Sequence, residues 1–251
     1  MMSNDANQCK KEENMKAFEN EVKEKLSGST LTKTLELISH LAANDIYPDP
    51  DDHNWFKYDG EMIYFFGIGK NLTLYSGNFD LNFGEDASEK DEALEAFVLT
   101  ATNRCVKHKG CLENPGLRRE VFGEVYENLC RSSFCFKIPP LKNLPHIKKV
   151  AEMRKHDIDN MPELKRGLRT DINEMLDYRL KACAHDFVDY LYKKYELKRE
   201  ASRTWNVQNG EHHLCTIQFE SEKWIFTLPA GEQFENPKFE EYDQIKELLE
   251  R

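Results

Sequence analysis

Two short turn signals constrain this chain more than anything else in it. Asp59-Gly60 and Asn209-Gly210 are dipeptides that close two-residue β-hairpins, because both central positions tolerate the left-handed backbone such turns require. Each is flanked by runs whose apolar and aromatic residues favour strands. Trp55 to Tyr58 and Glu61 to Phe66 bracket the first turn. Arg203 to Val207 and Leu214 to Phe219 bracket the second, and Trp224 to Leu228 extends that meander. Leu72 to Tyr75 and Phe79 to Phe83 continue the first one, with Asn78, Asp80 and Asn82 on a wet face.

The period before each meander is helical. Met15, Phe18, Val22 and Leu26 form one narrow stripe over 11–27. Thr30 is placed to cap a second helix carrying Leu31, Leu35, Leu37, Ile38 and Leu41. Helices are also expected over 89–108, with Leu94, Phe97, Val98 and Ala101 inward, and over 117–129, with Val121, Val125, Tyr126 and Leu129 inward. Phe134 to Ile138 reads as a short strand. A helix near 146–156 follows.

Residues 164–196 then hold helical spacing from Leu168 through Ile172, Leu176, Leu180, Phe187 and Leu191 to Tyr195. One helix of that length spans about 50 Å, more than a small sheet covers, so part of it is expected to serve a partner. A polar helix over 237–250 ends the chain. The fold class is therefore α+β: two antiparallel meanders, each preceded by helices, with one long helix in the second half.

At 251 residues the chain has room for one large domain or two smaller ones. Pro139-Pro140 and Pro145 mark the cut. It gives a disordered end at 1–10, a helical and meander unit at 11–140, and a long-helix and meander unit at 141–251. An aromatic content of 11% is enough to build cores. The N-terminal stretch is too charged for a leader, and the longest apolar run, Met62 to Phe66, is far too short to cross a bilayer. The expected location is the cytoplasm or nucleus, with no membrane contact. Seven cysteines are then read as reduced thiols.

The formal net charge of −10 is unevenly spread. Residues 30–90 and 201–251 are acidic, and 141–200 is mildly basic. An acidic chain repels phosphate backbones at long range, so nucleic-acid binding is disfavoured. Lys148, Lys149, Arg154, Lys155, Lys165, Arg166 and Arg169 are the residues that would carry it. Their irregular spacing, with acids interleaved, also fits a solvated face.

Cys105, His108 and Cys111, followed by Cys130 and Cys135, form the one constellation with metal-ligand chemistry. Structural zinc takes four Cys or His ligands from short-spaced pairs, so zinc is the only cofactor that the sequence suggests. An intervening helix would hold the two groups about 20 Å apart, which argues against one shared site, and buried thiols packing as small hydrophobes explain them as well.

Asp49, Asp51, Asp52 and His53 make an acidic loop. It fails the calcium-loop pattern, which needs Gly at the sixth position and an acid at the twelfth, where Asn54 and Gly60 stand. It is instead the best place for a basic partner. Gly67-Ile-Gly69 precedes a strand, not a helix, so it lacks a helix N-terminus for phosphate. His185 and Asp189 share a helix face, but no nucleophile accompanies them; His212 and His213 form no ligand triplet.

Hydrolase, nucleotide-fold and kinase signatures are missing from the sequence. The reading is a non-catalytic interaction protein, an adaptor or subunit of a larger assembly with a protein partner. The alternative is an enzyme of hydrolase or nuclease type using Asp49, Asp51, Asp52 and His53 with acids and histidines of the other half. A nucleic-acid-binding module is third.

Overall fold

The computed structural model describes residues 4–69, 72–76, 92–104, 117–121, 124–138, 143–176, 178–237 and 239–250. The chain forms two compact units, Met1–Asn160 and Met161–Arg251. The division follows α4 (Leu144–Asp159) rather than the proline run near residue 140, because Leu144, Ile147, Val150, Ala151 and Ile158 belong to the first core.

The first unit opens with α1 (Asn4–Lys25) and α2 (Gly28–Ala43). Helix therefore begins at Asn4, within the stretch expected to be disordered. Four strands follow: β1 (Tyr47–Pro48), β2 (Trp55–Tyr58), β3 (Glu61–Ile68) and β4 (Leu72–Ser76). After them come α3 (Glu92–Ala101), β5 (Thr102–Arg104), β6 (Leu117–Val121) and β7 (Glu124–Ile138). Among the described residues the sheet runs β1-β2-β3-β4-β7-β5, with β6 also on β7, and every pairing is antiparallel.

Asp59 (φ 47°) and Gly60 (φ 79°) both take the left-handed backbone, as a two-residue hairpin requires. That turn fixes which side of β2 and β3 goes inward. Phe56, Tyr64 and Phe66 are buried, and Phe18 from α1 meets Phe56 and Phe66 edge-on at 4.9 and 5.2 Å. The stripe of Met15, Phe18, Val22 and Leu26 is thus consumed by this core. Tyr64 donates its hydroxyl to the Ile147 carbonyl at 2.7 Å, tying sheet to α4. Burial pushes that phenol well above its ordinary pKa, so it stays a neutral donor.

The helix expected over 117–129 is a pair of strands. Val121 pairs with Glu124 and Leu117 with Leu129, so β6 and β7 form a hairpin. The apolar positions fit both periods, and pairing across β7 decided between them. The strand expected at 134–138 is the end of β7, where it pairs with β4. The helix expected over 89–108 is observed as α3, which gives way to β5 at Thr102. Phe79 to Phe83 lies outside the described residues.

The second unit contains α5 (Glu163–Met175), α6 (Tyr178–Lys194), β8 (Glu196–Ala201), β9 (Thr204–Asn209), β10 (His212–Glu220), β11 (Lys223–Thr227), β12 (Gln233–Glu235) and α7 (Phe239–Leu249). Its sheet is a meander in chain order, β12-β11-β10-β9-β8. Asn209 pairs with His212, so the turn residues are Gly210 and Glu211, and Gly210 alone takes positive φ (59°). Trp205, Trp224, Phe226, Phe187 and Ile217 fill the core, and Tyr242 of α7 stacks on Phe187 at 4.6 Å.

The single long helix expected over 164–196 is two helices. Leu176 is extended (φ −103°, ψ 151°), and the carbonyl of Met175 accepts the Glu222 amide at 2.8 Å. A bond from the β10–β11 turn replaces a helical one there. Neither helix has the surplus length that one helix of about 50 Å would offer a partner. The remaining fold reading stands: α+β, with helices ahead of each antiparallel meander. Among the described residues, no helix is long and apolar enough to cross a membrane.

Candidate interaction surface

Strand alternation places one side of β2, β3 and β4 in the core, and the other side carries Trp55, Phe65 and Tyr75. Trp55 pairs with Phe65 in register, and Phe65 with Tyr75. Their rings form a continuous row, with centroids 5.0 Å apart for the first pair and 5.8 Å for the second. Gly67 lies on the same face, where a Cβ would make ordinary contact with the Tyr75 ring at 3.5 Å. Phe65 and Tyr75 are half-buried, whereas Trp55 is 37% exposed.

The acidic loop borders this row at Trp55. Asp49 Oδ1 accepts the amides of Asp51 (2.8 Å) and Asp52 (3.3 Å), and the Asp49 amide donates to the Trp55 carbonyl (2.7 Å). Asp52 accepts the Asn54 amide on Oδ1 (3.1 Å) and the Trp55 indole N–H on Oδ2 (3.0 Å). These are local Asx-type bonds that hold a loop in one shape. Asp49 also ion-pairs with Lys57. Burial opposes ionisation of Asp49, but the Lys57 ammonium and the two amides outweigh it and hold the carboxyl below its ordinary range. His53 turns the other way, to Glu21 at 2.5 Å. Asp51 is exposed.

A rigid aromatic row beside fixed carboxylates can bind. Lys57 and Glu21 engage Asp49 and His53, two of the residues of this loop that a catalytic reading would use. The sequence pointed to Asp49, Asp51 and Asp52 but missed Trp55, Phe65 and Tyr75. Their signal was a spacing of ten residues across hairpins whose turns set the register.

The basic residues are held by acids. Lys148 pairs with Glu36 (2.7 Å) and Lys149 with Glu152 (3.7 Å), and the buried Arg154 pairs with Glu61 (3.5 Å). Lys155 donates to Tyr58 (2.9 Å) and Asp159 (2.8 Å). In the second unit, Lys165 and the buried Arg169 converge on Asp189 at 2.8 and 3.4 Å. Arg166 also has interactions within the chain. His185 meets Asn173 at 3.0 Å, so its hydrogen bond there goes to an amide rather than to Asp189.

Cys105, His108 and Cys111 lie outside the described residues. Cys130 and Cys135 sit on β7, not beyond a helix, and Cys135 is in register with Tyr75. The helical separation that argued against a shared metal site is therefore gone: Arg104 pairs with Leu129, the neighbour of Cys130. Among the described residues, no group of three or more His, Cys, Asp or Glu could hold a metal. No family model, curated protein or solved structure matches the chain.

Proposed function

We propose that this chain is a non-catalytic interaction protein, an adaptor or subunit of a larger assembly, and that its first unit contacts a protein partner through the Trp55–Phe65–Tyr75 row. The observation that carries the reading is the exposed Trp55 at the end of a row of tilted, mutually contacting rings. Large aromatics supply much of the binding energy at protein interfaces, because they bury wide area at small entropic cost. The surplus length expected of a single helix over 164–196 no longer supports the reading, because that helix is divided.

The test uses the full chain as bait, wild type against Trp55→Ala, with cross-linking to identify contact sites. The expected result is a discrete protein retained by the wild type, cross-linked near 49–65, and lost with Trp55→Ala while the variant keeps its thermal midpoint. Identical retention by both baits would reject this surface as the contact.

A further inference from the structure

We infer that the occupant of this surface is a cationic extended segment, a stretch of a partner protein bearing lysine or arginine at spaced positions. This rests on the interaction reading above and names the chemistry of its partner. The end of the row carries the argument. Trp55 is the exposed ring, and its indole N–H donates to the Asp52 carboxylate at 3.0 Å. A hydrogen bond to an anion pushes electron density into the indole and deepens the negative potential over its face, which is what attracts an ammonium or guanidinium.

The charge around it has the same sign. Three carboxylates stand at Asp49, Asp51 and Asp52 against Lys57, and Asp49 engages Lys57, so the loop stays negative. Asp51 is exposed in the same loop, its amide held by Asp49. The loop is also preorganised. The bonds that Asp49 accepts from the Asp51 and Asp52 amides and Asp52 from the Asn54 amide, with that from the Asp49 amide to the Trp55 carbonyl, fix the carboxylates before a ligand arrives.

A single-stranded nucleic acid also stacks on aromatic rows, but its phosphates would meet Asp51 and Asp52. A purely apolar partner would leave those carboxylates facing it without a counter-charge.

The test titrates the full chain with three defined probes: a ten-residue peptide alternating Lys and Ser, its Glu and Ser counterpart, and an oligothymidylate. Trp205 and Trp224 are buried, so a change in emission on binding reports Trp55. Anisotropy of the labelled peptide gives affinities for variants that lack the indole. The Lys peptide is expected to bind saturably and to weaken as salt rises. Trp55→Ala should weaken it about fivefold and Asp51→Asn about twofold, the scale of exposed cation–π and ion-pair contacts. Asp51→Asn leaves packing untouched, so it tests the charge even if Trp55→Ala perturbs the strand. Equal or tighter binding of the Glu peptide or the oligonucleotide would overturn the inference, as would Lys-peptide affinity unchanged in both variants. If the Lys peptide fails while Trp55-dependent protein capture persists, the cationic occupant is rejected and the interaction reading survives. If capture does not depend on Trp55, the parent reading fails as well.

Discussion

The indole N–H of Trp55 and the Oδ2 of Asp52 lie 3.0 Å apart, which ties the one exposed large aromatic among the described residues to the acidic loop beside it. The bond fixes the azimuth of the ring and joins two features that the sequence shows only separately.

The environment of Trp55 is measurable by charged quenchers. Caesium and iodide are collisional quenchers of opposite sign, and a negative local potential concentrates the cation. Relative to its quenching of free N-acetyltryptophanamide, caesium is expected to quench the accessible fraction of tryptophan emission more efficiently than iodide, and Trp55→Phe should remove that fraction. Iodide quenching equal to or above that of caesium after this normalisation would contradict a negative potential at the ring.

Phe18 is fully buried between Phe56 and Phe66. Phe18→Ala removes the one ring by which α1 grips the sheet in this cluster, and such truncations cost about 3–5 kcal/mol. Urea unfolding followed by far-ultraviolet circular dichroism should show that loss in the transition of the first unit. A loss below about 1 kcal/mol would mean that α1 is not packed as described.

These two residues show what was legible in the sequence. Phe18 was found because its stripe repeats at helical spacing, and the Asp59-Gly60 hairpin because its turn chemistry and period agree. The aromatic row was harder to find. Trp55-Phe56 and Phe65-Phe66 put an aromatic on both faces, so alternation alone does not say which face is wet. The α5–α6 break was hidden because Leu168, Ile172, Leu176 and Leu180 continue the helical period through it. The cause is a hydrogen bond from Glu222, distant in sequence. The β6–β7 hairpin was hidden likewise, since its pairing to β4 is non-local.

Asp49 predicts an acid response. Its carboxyl is held below the ordinary value near 3.8, so the folded state binds its proton less readily than the unfolded state. The stabilisation is fully present above the unfolded pKa and is lost as pH falls through the folded one. Asp49→Asn should therefore lower the stability of the first unit at about pH 6, and the gap to wild type should shrink as pH falls below 3.8, through the titration of the folded carboxyl. A gap between the two proteins that stays constant down to pH 2.5 would show that the carboxylate charge is not what stabilises the loop.

Cys9 and Cys215 should differ in reactivity. Cys9 is exposed on α1, whereas Cys215 is buried and burial pushes its thiol up to about 12. The thiolate is the reactive form, so iodoacetamide at pH 8 should label Cys9 within minutes and leave Cys215 unlabelled until the second unit unfolds. Peptide mapping by mass spectrometry resolves the two. Early labelling of Cys215 in the native protein would show that the second core opens readily.

The bond between the Glu222 amide and the Met175 carbonyl also affects solvent exchange. Glu222 lies at an exposed tight turn, where a backbone proton ordinarily swaps with deuterium quickly. Here that proton is held by the place where two helices part. Its lifetime therefore clocks how often the α5–α6 corner lifts away from the meander, and a single slow amide on a surface turn becomes the readout of that opening.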